Sequence, residues 1–474
     1  RDLDSSLVGS EMCIRDRINP YELGRQPFGL AEPTAFLQAA GHTVRCCDLS
    51  IQKLEDVVTA DTDLVAIYIA MHTATRIAVE ALPKIRALAP GARLCVYGLY
   101  APMNVELFRS QGVGTILGGE FEPGLVSLVR RIHTEEGDVQ TEPVVSLDKI
   151  DFIPPSRDTL PPLERYASLI QPDGTHQTVG FAETTRGCKY HCRHCPVVPV
   201  YNGAFRAIPA DIVLDDIRSQ VAQGAQHISF GDPDFFNGPG HALRIVRTLH
   251  KEFPDITYDA TIKIEHIVRY PDEIRELKAT GCLFIISAVE AVDDAILETL
   301  DKGHTRDDFI NAHRFLREAG IALSPTFVAF TPWTTLEGYI RLLQDIVELQ
   351  LINSVAPVQL SIRLLVPAGS CLLELADASE IFGTFDPAIL GHPWKNPDPR
   401  VDELQQQVQA WISDAENRGL TRAEIFSGIL DMAGRAAGVT LPEPDPATCG
   451  ENIPRLSENW YCCAEPTCEQ LNAF

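Results

Sequence analysis

Thr185-Arg186-Gly187-Cys188-Lys189-Tyr190-His191-Cys192-Arg193-His194-Cys195-Pro196 follows closely on an apolar, strand-like run, Val179 to Glu183, and spaces three cysteines as C-x3-C-x2-C. Three thiolates can ligate three irons of a cubane cluster and leave the fourth iron open for a substrate. The rival reading is a structural zinc site, which needs a fourth ligand such as His191 or His194. Structural zinc usually sits in small modules, whereas this triplet opens a long strand-then-helix series, so the cluster reading is preferred.

Further strands are expected at Gln226 to Gly231, Tyr258 to Ile264, Leu283 to Glu290, Ala322 to Phe330 and Pro357 to Val366. Helical stretches such as Ala210 to Gln223, Gly240 to Glu252, Asp293 to Leu300 and Asp307 to Gly320 separate the earlier ones. Six βα units predict a partial TIM-type (βα)6 barrel over residues 178–375, with function at the carboxyl ends of its strands. Upstream, residues 18–135 alternate short apolar runs (Thr43 to Cys47, Leu64 to Ala70, Leu94 to Tyr97, Gly114 to Leu117) with amphipathic segments such as Thr75 to Ala89. That rhythm predicts a Rossmann-like, doubly wound parallel sheet, so the fold class is α/β. Met71-His72-Thr73, Tyr97-Gly98-Leu99 and Gly118-Gly119-Glu120-Phe121-Glu122 should lie at its ligand-binding edge. Residues 136–177 are Pro-rich yet apolar and read as a linker packed on both neighbours. Residues 376–474 begin helical, through Val401 to Trp411 and Arg422 to Ala436, and end irregular and Cys-rich.

The chain has 474 residues, 45% of them hydrophobic and 22% charged, enough for two or three cored domains. A net charge of -25 and a pI near 4.9 disfavour nucleic acid and anionic membrane surfaces as partners. No signal segment or membrane-length apolar run is evident, so a cytoplasmic location is expected. In that setting 13 cysteines point to metal or redox chemistry rather than structural disulfides. Residues 1–17, with Ser6-Leu7-Val8-Gly9-Ser10-Glu11-Met12-Cys13-Ile14-Arg15-Asp16-Arg17, resemble translated sequencing-adaptor DNA and are set aside as non-native. The natural chain is then expected to begin with a strand ending at Ile18 and Asn19.

Residues 178–371 resemble a radical S-adenosylmethionine (SAM) domain. The resemblance implies a 4Fe-4S cluster on Cys188, Cys192 and Cys195, with SAM chelating the open iron and receiving the electron that starts radical chemistry. It also implies SAM contacts from His194 near adenine, Gly231 and Asp232 at the amino group, and Lys263, Glu265, Ser287 and Glu290 at the carboxylate and ribose. Pro367-Ala368-Gly369 matches a late turn bordering adenine.

Residues 18–133 resemble the cobalamin-binding domain that precedes many such barrels, although the D-x-H-x-x-G loop is missing; His72 at the strand edge could approach cobalt or be polar surface, and the domain either binds cobalamin or only covers the barrel mouth. Asn459-Trp460-Tyr461-Cys462-Cys463-Ala464-Glu465-Pro466-Thr467-Cys468 resembles the tail of a radical SAM group named for Cys-Cys-Ala-Glu-Pro or its selenocysteine version. The resemblance aligns Cys463 with selenocysteine and makes Cys462 and Cys463 candidate catalytic thiols. They could form a redox pair, join Cys449 and Cys468 in an auxiliary metal site, or capture a soft substrate. The expected partners are a small-molecule or peptide substrate and a reducing electron donor. A non-catalytic iron-sulfur, zinc or electron-carrier protein is the alternative.

Overall fold

The computed structural model describes residues 14–134 and 140–458. Its N-terminal sheet runs β1 (Ile14–Asn19), β2 (Thr43–Asp48), β3 (Thr62–Tyr68), β4 (Arg93–Tyr97), β5 (Thr115–Gly119) and β6 (Val145–Ser146). These lie in the order β2-β1-β3-β4-β5-β6, every pair parallel. One apolar layer covers each face, as expected for a doubly wound sheet. Residues 14–17, excluded from the sequence-based fold, complete the central strand β1. There Arg15, Asp16 and Arg17 are fully buried.

β6 comes from the expected linker, as does β7 (Ser168–Ile170), which joins the second sheet. Arg157 fastens the linker to both sides. It makes two bonds to Asp216, at 2.7 and 2.8 Å, and donates to Gln26 Oε1 and Phe181 O, both at 2.8 Å.

The second sheet contains β8 (His176–Ala182), followed by a small hairpin of β9 (Thr185–Gly187) and β10 (Phe205–Ala207). Parallel strands β11 (His227–Phe230), β12 (Thr257–Thr261), β13 (Cys282–Glu290) and β14 (Ala322–Phe327) continue the barrel, and β15 (Arg455–Leu456) pairs antiparallel with β7 at the far edge. Two expectations need correction. β12 stops at Thr261 because a helix opens at Ile264, so Lys263 precedes a helix instead of ending a strand. The sixth strand shrinks to a bridge between Phe330 and Arg363, because Pro357 opens a 3-10 turn over Pro357–Leu360.

Leu169 of β7 and Leu456 of β15 reach Val179, Phe284 and Ile286 in one apolar cluster, so both late additions help fill the barrel. Helices Pro399–Asn417 and Arg422–Ala437 pack on each other and join the core under the barrel helices. No helix among the described residues is long and apolar enough to cross a membrane.

Candidate active site

The cysteine triplet leaves the β9–β10 hairpin at the carboxyl end of β8 and is pinned on opposite sides. Asn237 Nδ2 donates to Gly187 O at 3.1 Å, and Lys189 N donates to Asn237 Oδ1 at 3.3 Å. On the other side Arg193 N donates to Leu300 O at 2.9 Å, and its guanidinium to Thr299 O at 2.7 Å. Gly187, at φ +70°, has no space for a side chain against Ala204 O and the Tyr201 ring. Cys192 is buried, while Cys188 and Cys195 are half-buried. Burial, with the neighbouring thiols adding to it, pushes Cys188 up to about 11 and Cys195 up to about 12. Such thiols ionise when a bound cation takes the proton's place. Among the described residues no three His, Cys, Asp or Glu side chains converge around a single ion, and His194, a fourth ligand in the zinc reading, instead bonds Glu290.

His194 does not offer Nε2 to a ligand. That nitrogen lies 3.1 Å from Glu290 Oε1, and Lys302 Nζ lies 3.3 Å from the same oxygen. Burial alone would raise the Glu290 carboxyl, but Lys302 and His194 outweigh it and hold it near about 2. Two expected SAM contacts are already engaged within the protein. Asp232 accepts from Thr184 N at 3.1 Å, Thr184 Oγ1 at 2.7 Å and Thr185 Oγ1 at 2.6 Å, so it staples the ends of the first two barrel strands. Ser287, fully buried, donates to Ile262 O at 2.6 Å. Gly231 is required for close packing, since a Cβ there would run into the Phe181 ring.

Lys263 and Glu265 meet the cysteine loop through Tyr190. The Lys263 ammonium sits 3.4 Å from the Tyr190 ring centroid, and the Tyr190 hydroxyl is 3.4 Å from Glu265 Oε1. The hydroxyl is also 2.6 Å from His266 Nε2, whose Nδ1 is 2.8 Å from Asp234. His194 Nδ1 is buried with no hydrogen-bond partner, and Lys263 Nζ has none either but lies 3.6 Å from Glu265 Oε2 in an ion pair. Three thiols carried on one pinned loop, with the Lys263 ammonium over the Tyr190 ring of that loop, fit an iron-sulfur cluster and a carboxylate-bearing ligand such as SAM.

Arg186, two residues before Cys188, ties this loop to the N-terminal domain. It pairs with Glu32, with Glu120 at 2.9 Å and with Glu122 at 2.7 Å. Burial brings Arg186 down to about 10, leaving it charged at neutral pH. Burial also pushes Glu120 up to about 7 and, with the Glu120 carboxylate adding to it, holds Glu122 well above the ordinary carboxylate range. A cavity of about 180 Å³ adjoins this knot, with Glu183, Arg186, Gly187, Tyr201 and Gly231 on the barrel side and Tyr68 and Phe121 opposite. A second pocket of about 510 Å³, within the usual range for ligands, lies between Pro102 to Leu107 and the Pro199, Ala368 and Gly369 turns.

The expected edge of the N-terminal sheet is thus a domain seam. Glycines 98 and 118 are crowded by the protein's own Tyr68 and Pro102. His72 is 1% exposed at the start of helix His72–Leu88, correcting its reading as surface. Cys449 is half-buried. Cys462, Cys463 and Cys468 lie outside the described residues.

Arg186, Lys302 and the Asp234–His266–Tyr190 chain were missed by sequence reasoning. Only Arg186 carried a local signal, a charge inside a strand-like segment beside the cysteines.

The pattern of the radical SAM superfamily matches residues 182–338. The hopanoid C-3 methylase of Methylococcus capsulatus is 23% identical over 326 residues, 65% of this chain and 62% of that protein. The tRNA-2-methylthio-N(6)-dimethylallyladenosine synthase of Desulfosudis oleivorans is 28% identical over 294 residues, 59% of this chain and 62% of that protein. The chain thus spans about three-fifths of either relative. Among solved structures, the cobalamin-dependent SAM radical enzyme OxsB with aqua-cobalamin bound superposes with a TM-score of 0.64 at 16% identity, covering 85% of this chain and 67% of that one. The radical SAM methyltransferase TsrM of Kitasatospora setae, with tryptophan and aza-SAM bound, gives 0.57 at 18% identity and 71% coverage of each. At these identities the likeness establishes a shared fold. Residues 182–338 are therefore a radical SAM domain, the catalytic module of an enzyme, packed against a doubly wound N-terminal domain.

Proposed function

We propose that this radical SAM enzyme transfers a methyl or methylthio group to a small-molecule or peptide substrate held at the domain seam. The observation that carries the reading is the pinned cysteine triplet at the carboxyl end of β8, with the Lys263 ammonium, paired only at 3.6 Å with Glu265, over the Tyr190 ring of that loop. A 4Fe-4S cluster with one open iron, when bound, would supply the electron for reductive cleavage of the SAM sulfonium. Cys188, Cys192 and Cys195 would hold its irons. Lys263 would take the SAM carboxylate, and Tyr190 fixes where that ammonium stands. The Arg186 knot closes the seam against water, so that a reactive species meets substrate before solvent. Glu183 lines the adjoining cavity. Burial, with Glu22, Asp232, Glu122 and Glu120 around it, pushes its carboxyl well up, which suits it to donate a hydrogen bond to substrate.

Anaerobically reconstituted protein given dithionite and SAM should release 5'-deoxyadenosine or methylated product, and a Cys192→Ala variant should release neither. An iron-loaded protein that leaves SAM intact would refute the reading.

Cobalamin as cofactor of the N-terminal domain belongs to the same proposal, supported by coverage of that domain by the cobalamin-bound OxsB structure. Stoichiometric cobalt in anaerobically purified protein is the expected result, and cobalt-free active protein would refute it.

Membership of the Cys-Cys-Ala-Glu-Pro tail group, with Cys463 acting on substrate, is a further part. β15 runs in the same sense as β8, toward the carboxyl ends, and Glu458 after it accepts from Tyr21 at 2.7 Å at the seam. A Cys463→Ser variant should cleave SAM yet make no product, and full product formation would remove that role. Iron beyond one cubane per chain would instead indicate an auxiliary cluster there.

A further inference from the structure

The loop from Leu300 to His304 adopts an unfavourable backbone beside the cysteine triplet. Asp301 takes φ +54° and Gly303 φ +73°, and Glu290 at the end of β13 takes φ +68° just after a register break. Left-handed conformations at an aspartate and a glutamate persist only where surrounding contacts enforce them. Leu300 O accepts from Arg193 N at 2.9 Å, so this loop and the cysteine loop are joined. Between them stands Lys302, 4% exposed, its Nζ 3.3 Å from the Glu290 oxygen that also meets His194, the residue before Cys195. Burial alone would lower the Lys302 ammonium, but Glu290, Cys192 and Cys195 outweigh it and keep it charged.

A buried cation is costly unless negative charge faces it, and Glu290 balances it only while the cluster is ignored. Three thiolates and an iron-sulfur core carry net negative charge, and reduction adds one more. A fixed ammonium nearby favours the reduced form.

We propose that Lys302 is a positioning charge that raises the reduction potential of the cluster, with Glu290 holding it in place and opposing it. The step is a one-electron reduction by an external low-potential donor, and no bond at Lys302 forms or breaks. The proposal rests on the cluster reading above.

The test compares wild type, Lys302→Met, Lys302→Arg and Glu290→Gln, reconstituted anaerobically without SAM. Iron and sulfide are counted first, and each protein is then titrated by EPR at controlled potential. At a fixed potential Lys302→Met should shift the reduced-to-oxidised ratio at least tenfold toward oxidised, a change of about 59 mV for a one-electron couple. Lys302→Arg should stay within twofold of wild type, and Glu290→Gln should shift the opposite way. A Met variant within twofold of wild type, or both charge removals moving the potential in one direction, would overturn the proposal. Should the Met variant hold no cluster, Glu290→Gln decides, a shift toward reduced supporting the proposal and any other result overturning it. Wild type lacking iron and sulfide would instead defeat the cluster reading itself.

Discussion

Replacing Arg186 with Leu should destabilise the protein strongly, and more at alkaline than at acid pH. The substitution leaves Glu32, Glu120 and Glu122 in a buried seam without the cation they share. Removing one side of a buried ion pair costs about 3–5 kcal/mol. At about 2–4 °C per kcal/mol for domains of this size, the melting temperature should fall by roughly 6–20 °C at pH 8. The pH dependence follows from the raised carboxyls. Glu120 in the folded protein titrates at about 7, above its ordinary value of 4.5, so the native state keeps protons that the unfolded chain releases. Stability from that group is present below pH 4.5 and is lost as pH rises through about 7. Without Arg186 the folded values rise further, so lowering the pH to 6 should recover much of the loss. Thermal scans of wild type and variant at pH 6 and pH 8 measure this. A drop under 2 °C at pH 8, or equal drops at both pH values, would refute the reasoning.

Three smaller perturbations follow from the same structure. Ser287→Ala should cost about 1 kcal/mol in urea unfolding through loss of the bond to Ile262 O, with SAM affinity unchanged, whereas a large SAM defect would return Ser287 to the binding site. Asp16→Val removes the fully buried carboxylate that Arg45 and Thr62 share while leaving both partners in place, and should cost about 1.5–3 kcal/mol in urea unfolding; unchanged stability would show the pair to be worth no more than its desolvation. Tyr190→Phe keeps the ring under Lys263 but loses the hydroxyl contact with His266, and should weaken SAM binding several-fold by calorimetry. Unchanged affinity would separate Tyr190 from the ligand site.

The fold was legible where periodicity and punctuation agree. Strand-then-helix alternation marked β8, β11, β13 and β14 to within a few residues, and the Pro-rich linker packed as its apolar content required. The sixth barrel strand misled because Val358 to Leu364 alternates apolar with polar residues as a strand does, whereas one proline and a 3-10 turn decide how much of it can pair.

Within the site, local spacing singled out the cysteine triplet, which the structure sets on a pinned loop at the carboxyl end of β8. The neighbours of those cysteines were not singled out. Asp232 and Glu290 both stand at strand ends and look alike in sequence, yet one is consumed by threonine hydroxyls and the other gathers a histidine and a lysine. Arg186 and its three glutamates are drawn from elements far apart along the chain, and no pattern within either segment reveals that meeting.

The most direct test of the account is EPR of the dithionite-reduced protein, prepared without oxygen, before and after addition of SAM. A cubane held by Cys188, Cys192 and Cys195 with one open iron predicts a 4Fe-4S spectrum whose g-values shift when SAM binds. An iron-free zinc centre, or a cluster spectrum indifferent to SAM, would contradict it.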